Sequence, residues 1–346
     1  MSAADIVLAI VLVGVLIFLH EAGHFVVAKV MGVRVKAFSI GFGPALLRLR
    51  RGETSYQLSA VPFGGYVMFD EATPDGHGLD ACAFEAQSPG RRALIAVAGV
   101  ATNVVLAFVV LLALYGFYGL PSVQMRVVSV NAHSPAAAAG LRRGDVLVDV
   151  GGVSMATNPS RITSIVAAHD ERPLAVVYRR RGALRHTTVV PRPVPGGAVR
   201  IGVYLQEVAG YAGQGSVGAR LGAAWSTTGR MLTLLVGGLV QLVTGRVPAS
   251  QLGGPVRIVT ETSQVAASGA SALLYWLALL SANLAVLNAV PFPGLDGGRL
   301  AFLLGEVLAR GRRNVGLEQA INFIGLALLM LFIGALTVQD IASLHP

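Results

Sequence analysis

Apolar positions gather along the chain into four long runs, near Ile6 to Ala28, Ala93 to Leu120, Ala272 to Val290 and Ile321 to Thr337. A helix rising about 1.5 Å per residue needs roughly twenty such residues to cross about 30 Å of hydrocarbon, so each run predicts a transmembrane helix. A fifth run, Met231 to Val243, is short for a span and has Arg230 and Arg246 at its ends, which predicts an interfacial or re-entrant helix. Between the second and third runs the pattern changes. Arg126 to Val130, Asp145 to Val150, Leu174 to Arg179 and His186 to Val190 are short β-branched segments punctuated by turn residues, the signature of a small β-rich domain. Ahead of them, Leu47 to Arg50 and Thr54 to Val61 flank Arg51-Gly52-Glu53 in a hairpin pattern. The expected architecture is an α-helical polytopic membrane protein of four transmembrane helices with a small β-rich domain inserted. Residues 1–120 form the N-terminal membrane half, 121–208 the inserted domain, 209–270 a linker with the interfacial helix, and 271–346 the C-terminal membrane half.

Composition agrees with a bilayer protein: 54% of residues are hydrophobic, 13% are charged and the mean hydropathy is +0.65. The net charge of +9 raises nucleic acid as a partner, but the arginines are scattered without a basic stripe, which argues against it. They orient the chain instead. Lys29, Arg34, Lys36, Arg91 and Arg92 bound the first connection and Arg310, Arg312 and Arg313 the last, so both connections are expected in the cytoplasm. Both termini and the inserted domain are then outside, in a multi-pass plasma (inner) membrane protein. No basic segment precedes the first run, and histidines sit where a signal cleavage site would fall, so this run is expected to be retained. The single cysteine, Cys82, excludes an internal disulfide and a cysteine metal cluster.

The chemistry begins in the first span, where His20-Glu21-Ala22-Gly23-His24 has the HExxH pattern. Spacing of four stacks both imidazoles on one helical face, where two nitrogens reach one zinc and Glu21 lies beside the attacking water. Two histidines and a glutamate within a bilayer span cost a few kcal/mol each unless engaged, which favours the metal over idle polar residues. A catalytic zinc commonly takes three protein ligands, and depth selects the third. His20 lies roughly 21 Å into the first span, and the third span, entering from the same side, reaches Asn288 after roughly 24 Å. There the sequence breaks into Asn288-Ala289-Val290-Pro291-Phe292-Pro293-Gly294-Leu295-Asp296-Gly297-Gly298, which cannot continue a helix. Irregular backbone at that depth is tolerated where it is buried or lines a wet cavity, so Asp296 is placed to be the third ligand.

HExxH followed by NxxPxPxLDG resembles the site-2 protease family, in particular bacterial members similar to the regulator of sigma-E protease. Gly41-Phe42-Gly43-Pro44, Pro62 to Val67, Gly99 with Asn103 and Gly253 to Val256 stand in family order, so the resemblance covers nearly the whole chain. Ala22 and Val100 depart from the usual leucine and proline without touching a ligand. The resemblance implies a zinc metalloendopeptidase with His20, His24 and Asp296 on Zn2+ and Glu21 as general base. It makes Asn288, Pro291 and Pro293 part of a substrate-contacting loop. It also implies single-span membrane protein substrates in regulated intramembrane proteolysis, such as a pre-cleaved anti-sigma factor, another signalling protein or a remnant signal peptide. Ser134 to Asp145, with Ile162 to Ala168 as a later helix, resembles a PDZ domain, here a single unit expected to control access to the zinc.

The segment Leu47 to Val61 has two readings, a strand edge that receives an unwound substrate and an ordinary cytoplasmic hairpin. His77, His133, His169, His186 and His345 lack ligand spacing and are expected at the surface. Two other classes compete with the protease: a binding module without turnover, against which Glu21 stands, and a transporter, which internal symmetry would favour. No such symmetry is seen.

Overall fold

Four helices have the length and apolarity needed to cross a membrane: α1 (Ala3–Val30), α2 (Pro89–Tyr118), α7 (Ala270–Ala289) and α9 (Val315–Ser343). The structure, a computed structural model, describes residues 3–69, 82–155, 158–193, 199–213, 215–248, 253–309 and 314–343. His77, Arg310, Arg312, Arg313 and His345 lie outside the described residues. The spans carry large apolar side chains on their outer faces, such as Val7, Val11 and Val15 on α1 and Phe323, Leu331 and Val338 on α9. In water such faces would be a liability; in hydrocarbon they are solvated. The chain is a membrane protein.

It divides into two compact units, Met1–Ala113 with Ala224–Pro346, and Leu114–Ala223. In the first, α1 buries one stripe, Ala9, Leu16, His20, Gly23, His24 and Ala28, whose spacings of three, four and seven keep them on one helical face. That stripe meets α2 closely, because a Cβ on Gly23 would collide with Thr102 and the carbonyl of Ala98. On another side α1 packs against β1 (Val35–Arg51) and β2 (Thr54–Phe69) through Phe38, whose ring lies 5.6 Å from Phe18 and 5.0 Å from Phe25.

The two strands are far longer than the hairpin expected from Leu47 to Val61. Residues 37–40 each have two partners, one among 55–58 and one among 65–68, while 45–51 pair with 54–59. The strands therefore bend and fold over to make four ranks, with 45–51 and 65–69 at the edges. Glycine made this hard to see. Gly41, Gly43 and Gly64 look like strand breakers, yet each takes a positive φ, of 86°, 88° and 102°, that bends the strand while the pairing continues.

Between the α2 and α7 spans, α5 (Val217–Val243) is a 27-residue helix, twice the apolar run seen in the sequence, because the Ala, Leu and Arg residues before Met231 propagate it. It is not among the helices apolar enough to span. Next, α6 (Pro255–Ala267) packs on α1, α7 and α9. Its first turn is capped from a distance: Asp340 of α9, buried, accepts from the backbone N–H of Gly254 (3.2 Å) and of Arg257 (2.9 Å). A carboxylate at a helix N-terminus satisfies otherwise unpaired donors and complements the helix dipole. The last element of the unit, α8 (Asp296–Leu308), packs on α7.

The second unit is β-rich. Its sheet has the order β10-β3-β4-β6-β7, with β3 (Leu120–Val130), β4 (Val146–Val150), β6 (Leu174–Arg180), β7 (Ala183–Val189) and β10 (Val203–Ala212), and β5 (Val153–Ser154) paired to β4. A short pair, β8 (Arg192–Pro193) and β9 (Val199–Arg200), stands apart from it. The helices α3 (Pro135–Ala138) and α4 (Ile162–Ala168) complete the unit, and Ile165 of α4 joins Val127, Leu147, Val150, Leu174 and Val176 in its core. The strand pairing extends past residue 208, the expected end of the domain, because β10 pairs with β3 as far as Ala212 opposite Leu120. The Gly-Asp turn read from the sequence is clamped: Arg180 donates Nε and Nη2 to the two oxygens of the buried Asp145, each at 2.7 Å.

Candidate metal centre

His20 and His24 lie one turn apart on α1, and Asp296 is the first residue of α8. All three side chains are buried, and they meet: each histidine Nε2 is 3.0 Å from Asp296 Oδ2, and the two nitrogens are 3.3 Å apart. A tetrahedral zinc with ligands at about 2.0–2.1 Å holds its donors about 3.3 Å from one another, so these three atoms are spaced to share one ion.

The groups behind the imidazoles favour the same ion. His24 Nδ1 donates to the carbonyl of Ile95 at 2.7 Å, which leaves Nε2 with a free lone pair. His20 Nδ1 lies 3.0 Å from the Asn103 amide nitrogen, while Asn103 Oδ1 is buried with no partner among the described residues. Turning that amide over resolves both. The oxygen then accepts from Nδ1–H, and His20 Nε2 is left to bind metal. Gly99 lies between these two supports on α2, where a Cβ would run into both imidazole rings. One helix thus orients both imidazoles, through Ile95, Gly99 and Asn103.

Asp296 is delivered by the break between α7 and α8. Gly294 takes φ +92°, and its N–H donates to Asn322 Oδ1 of α9 at 3.0 Å. Gly297 and Gly298 bring α8 so close to the loop that a Cβ on either would strike the carbonyls of Val290 or Phe292. Pro293 lies against Gly325 of α9. Asn288 is half-buried at the end of α7, Pro291 is exposed and Pro293 is half-buried, so the three line the loop that carries Asp296. Asn322 and Gly325 escaped the sequence reading because a single Asn and Gly in an apolar helix have no motif to mark them.

Glu21 faces the sheet. A Cβ on Gly65 would stand 3.4 Å from Glu21 Cγ, so the edge strand Gly65 to Phe69 runs directly beside the glutamate. A further tie also lacked any sequence signal: Arg92 of α2 donates Nη2 to Glu306 of α8 at 2.5 Å, both side chains largely buried. It joins the helix that orients the histidines to the helix that begins with Asp296.

A buried His-His-Asp donor set with a glutamate alongside, among helices able to cross a membrane, defines this protein as a membrane zinc metalloprotease. The chain belongs to peptidase family M50, the site-2 proteases, whose family model matches residues 8–332. Zinc metalloprotease RasP of Oceanobacillus iheyensis is 29% identical over 98% of this chain and 99% of its own length. A Clostridium acetobutylicum protein provisionally named as a zinc metalloprotease is 33% identical over 99% of this chain and 98% of its own. Among solved structures, the PDZ domain of an SdrC-like protein from Listeria monocytogenes matches 23% of this chain and 85% of its own, at 18% identity and a TM-score of 0.22.

Proposed function

We propose that this zinc metalloprotease is an intramembrane endopeptidase that cleaves single-span membrane proteins in regulated intramembrane proteolysis. Its substrates are anti-sigma factors or other signalling proteins already trimmed outside the membrane, with remnant signal peptides as a further class. The observation that carries this reading is the burial of the donor set among spanning helices with a strand edge beside Glu21. A peptide bond in a transmembrane helix is shielded by its own hydrogen-bond ladder, so the substrate must unwind and its freed groups need partners. The edge Gly65 to Phe69 pairs only with 35–40 among the described residues, and its other side can take an added strand.

In this reading His20, His24 and Asp296 hold the ion. Zinc, when bound, polarises the scissile carbonyl and makes water a nucleophile near neutral pH. The Glu21 carboxylate takes a proton from the attacking water and passes it to the leaving amine nitrogen. Asn288, through its side-chain amide, pairs with substrate backbone, while Pro291 and Pro293 keep the loop from closing into helix. The active site lies toward the cytoplasmic side of the plasma membrane, both termini and the inserted domain lie outside, and that PDZ-like domain limits which substrates reach the zinc.

Glu21→Gln tests the reading. The amide cannot act as base while the ligands are unchanged, so the variant should fold and hold one zinc but lose cleavage of a purified single-span substrate. Turnover within tenfold of wild type would sink it.

A further inference from the structure

The β-rich unit, Leu114–Ala223, is strongly basic: it holds twelve arginines, no lysine and five carboxylates, and so carries +7 of the chain's net charge of +9. The arginines are spread along the sequence, but the sheet gathers five of them at one end. Arg126 of β3 and Arg179 of β6 both stand opposite Val146 of β4, so they share one face two strands apart, at about 10 Å. The turn leading into β4 carries Arg142 and Arg143. It is held to the same end, because Gly144 N–H donates to the Val127 carbonyl and Val127 N–H to the Asp145 carbonyl, each at 2.8 Å. Arg181 stands at the tip of the β6–β7 hairpin, which Arg180 ties to that turn through Asp145 and the Gly140 carbonyl.

Little negative charge opposes them. Asp145 is buried and engaged by Arg180. Asp149 accepts from Gly152 N–H in the turn after β4, and Asp170 and Glu171 precede β6, all toward the opposite end of the sheet. Glu207 pairs with Met125, beside Arg126 in register, so its side chain points to the other face. Arg126, Arg142, Arg143 and Arg181 are exposed and Arg179 is half-buried. Arg181 also has an unfavourable backbone. It takes φ +51° and Gly182 takes φ +83°, the two positive values of a type I′ turn, whose first position normally holds asparagine, aspartate or glycine. An arginine accepts that conformation at a cost, and a side chain kept in a disfavoured conformation points to a use for it.

We propose that this basic end of the β-rich unit binds an acidic segment in the external part of the substrate. The inference rests on the endopeptidase reading above, in which that part of the substrate and this unit lie on the same side of the membrane. Guanidinium groups match carboxylates in geometry as well as charge, and complementary charge speeds encounter and favours one substrate over another. The sheet also sets where the acidic residues must lie. β3 begins at Leu120, just after α2 ends at Tyr118, and β10 ends opposite it at Ala212, so the chain enters and leaves the unit at the other end of the sheet. Arg126 is six residues along β3 from Leu120, roughly 20 Å at about 3.3 Å per residue. That is more than twice the screening length of about 8 Å, which makes lipid headgroups at the point of entry the weaker partner. An extended substrate needs about six residues beyond its span to reach as far. Acidic residues from about the eighth onward are therefore recognised, and those at the span edge are not.

The test uses the full-length zinc-loaded enzyme in nanodiscs of neutral phosphatidylcholine. Two single-span substrates differ only in having four glutamates or four glutamines that begin about eight residues outside the span. Wild type should show a KM about tenfold lower for the glutamate form at low salt, with kcat unchanged, and about 0.5 M salt should bring the two KM values together. The Arg142→Gln/Arg143→Gln/Arg181→Asn enzyme should treat the two substrates alike and cleave the glutamine form as wild type does. It keeps Arg180 and Asp145, and asparagine suits the turn, so the unit should remain folded. Equal KM values in wild type, or the same preference in the triple variant, overturns the proposal. Binding is read apart from hydrolysis by fluorescence anisotropy of a labelled tetraglutamate peptide on the Glu21→Gln enzyme. It should bind more tightly than its tetraglutamine counterpart, and the three arginine substitutions should remove the difference; no difference to begin with also overturns the surface. Loss of peptide binding when about a third of the lipid is phosphatidylglycerol would assign the arginines to headgroups and overturn it as well. Selective peptide binding together with no cleavage of either substrate by wild type would support the surface and refute the endopeptidase reading.

Discussion

Replacing Gly99 with alanine adds one methyl group at the point where α2 passes under both imidazoles. That carbon would stand 2.6 Å from His24 Cε1 and 2.7 Å from His20 Cε1, and nearer still to His24 Nε2. Carbon atoms rest about 3.5–4.0 Å apart, so the rings or the helix must give by about 1 Å. The rings cannot swing away cheaply, because His24 is tied to Ile95 and His20 to Asn103, both on the helix that carries the new methyl. A displacement of about 1 Å in a catalytic group costs on the order of 100-fold in rate, and loss of groups supporting a ligand costs about 10- to 100-fold in metal affinity. Alanine is also the better helix former by about 1 kcal/mol, so global unfolding is not the expected failure. Gly99→Ala should therefore remain folded while its zinc affinity, measured by competition with a chelator, falls at least tenfold and cleavage falls further. Zinc affinity and cleavage both within threefold of wild type would refute the close approach of α2 to the donor set.

Three other outcomes follow from the contacts around the site. Asp296→Ala should lower zinc occupancy strongly and Asp296→Asn less so; full retention by both, measured by metal analysis, would remove Asp296 from the donor set. Asn103→Asp keeps an acceptor opposite His20 Nδ1 and should retain zinc, whereas Asn103→Leu should weaken zinc binding about 10- to 100-fold; equal affinity in the two variants would contradict the turned-over amide. Asp340→Ala leaves the Gly254 and Arg257 N–H groups without their cap and should destabilise the protein by about 2 kcal/mol in a denaturant titration in detergent, with no change from wild type arguing against the cap.

Signals local to a few residues, or repeated along an element, were legible in the sequence. The four spans follow from the length of apolar runs, and HExxH carries its geometry in a spacing of four. The contact of Asp296 with both histidines could be anticipated because two polar breaks fall at matching depths. What could not be read is the set of single contacts between distant residues: Asn103 on His20, Arg92 on Glu306, and Asn322 on the loop before Asp296. None leaves a periodic trace, because each depends on two particular positions that only the fold brings together. The long bent strands were missed for a different reason. Glycine and proline usually end pairing, and at Gly41, Gly43 and Gly64 they redirect it.

The cap that Asp340 places on α6 also has a consequence in time. Gly254 and Asp340 are 86 residues apart, so at about 5–20 residues per second a ribosome makes the cap about 4 to 17 s after the first turn it must hold. For that interval α6 has its own residues but not its partner, and the helix that packs on α1, α7 and α9 cannot reach its final capped state before the last span has been made. The C-terminal half should therefore mature late and as one step, and a chain stopped before Asp340 should be sensitive to protease in α6 even though every residue lining the metal centre has already been translated.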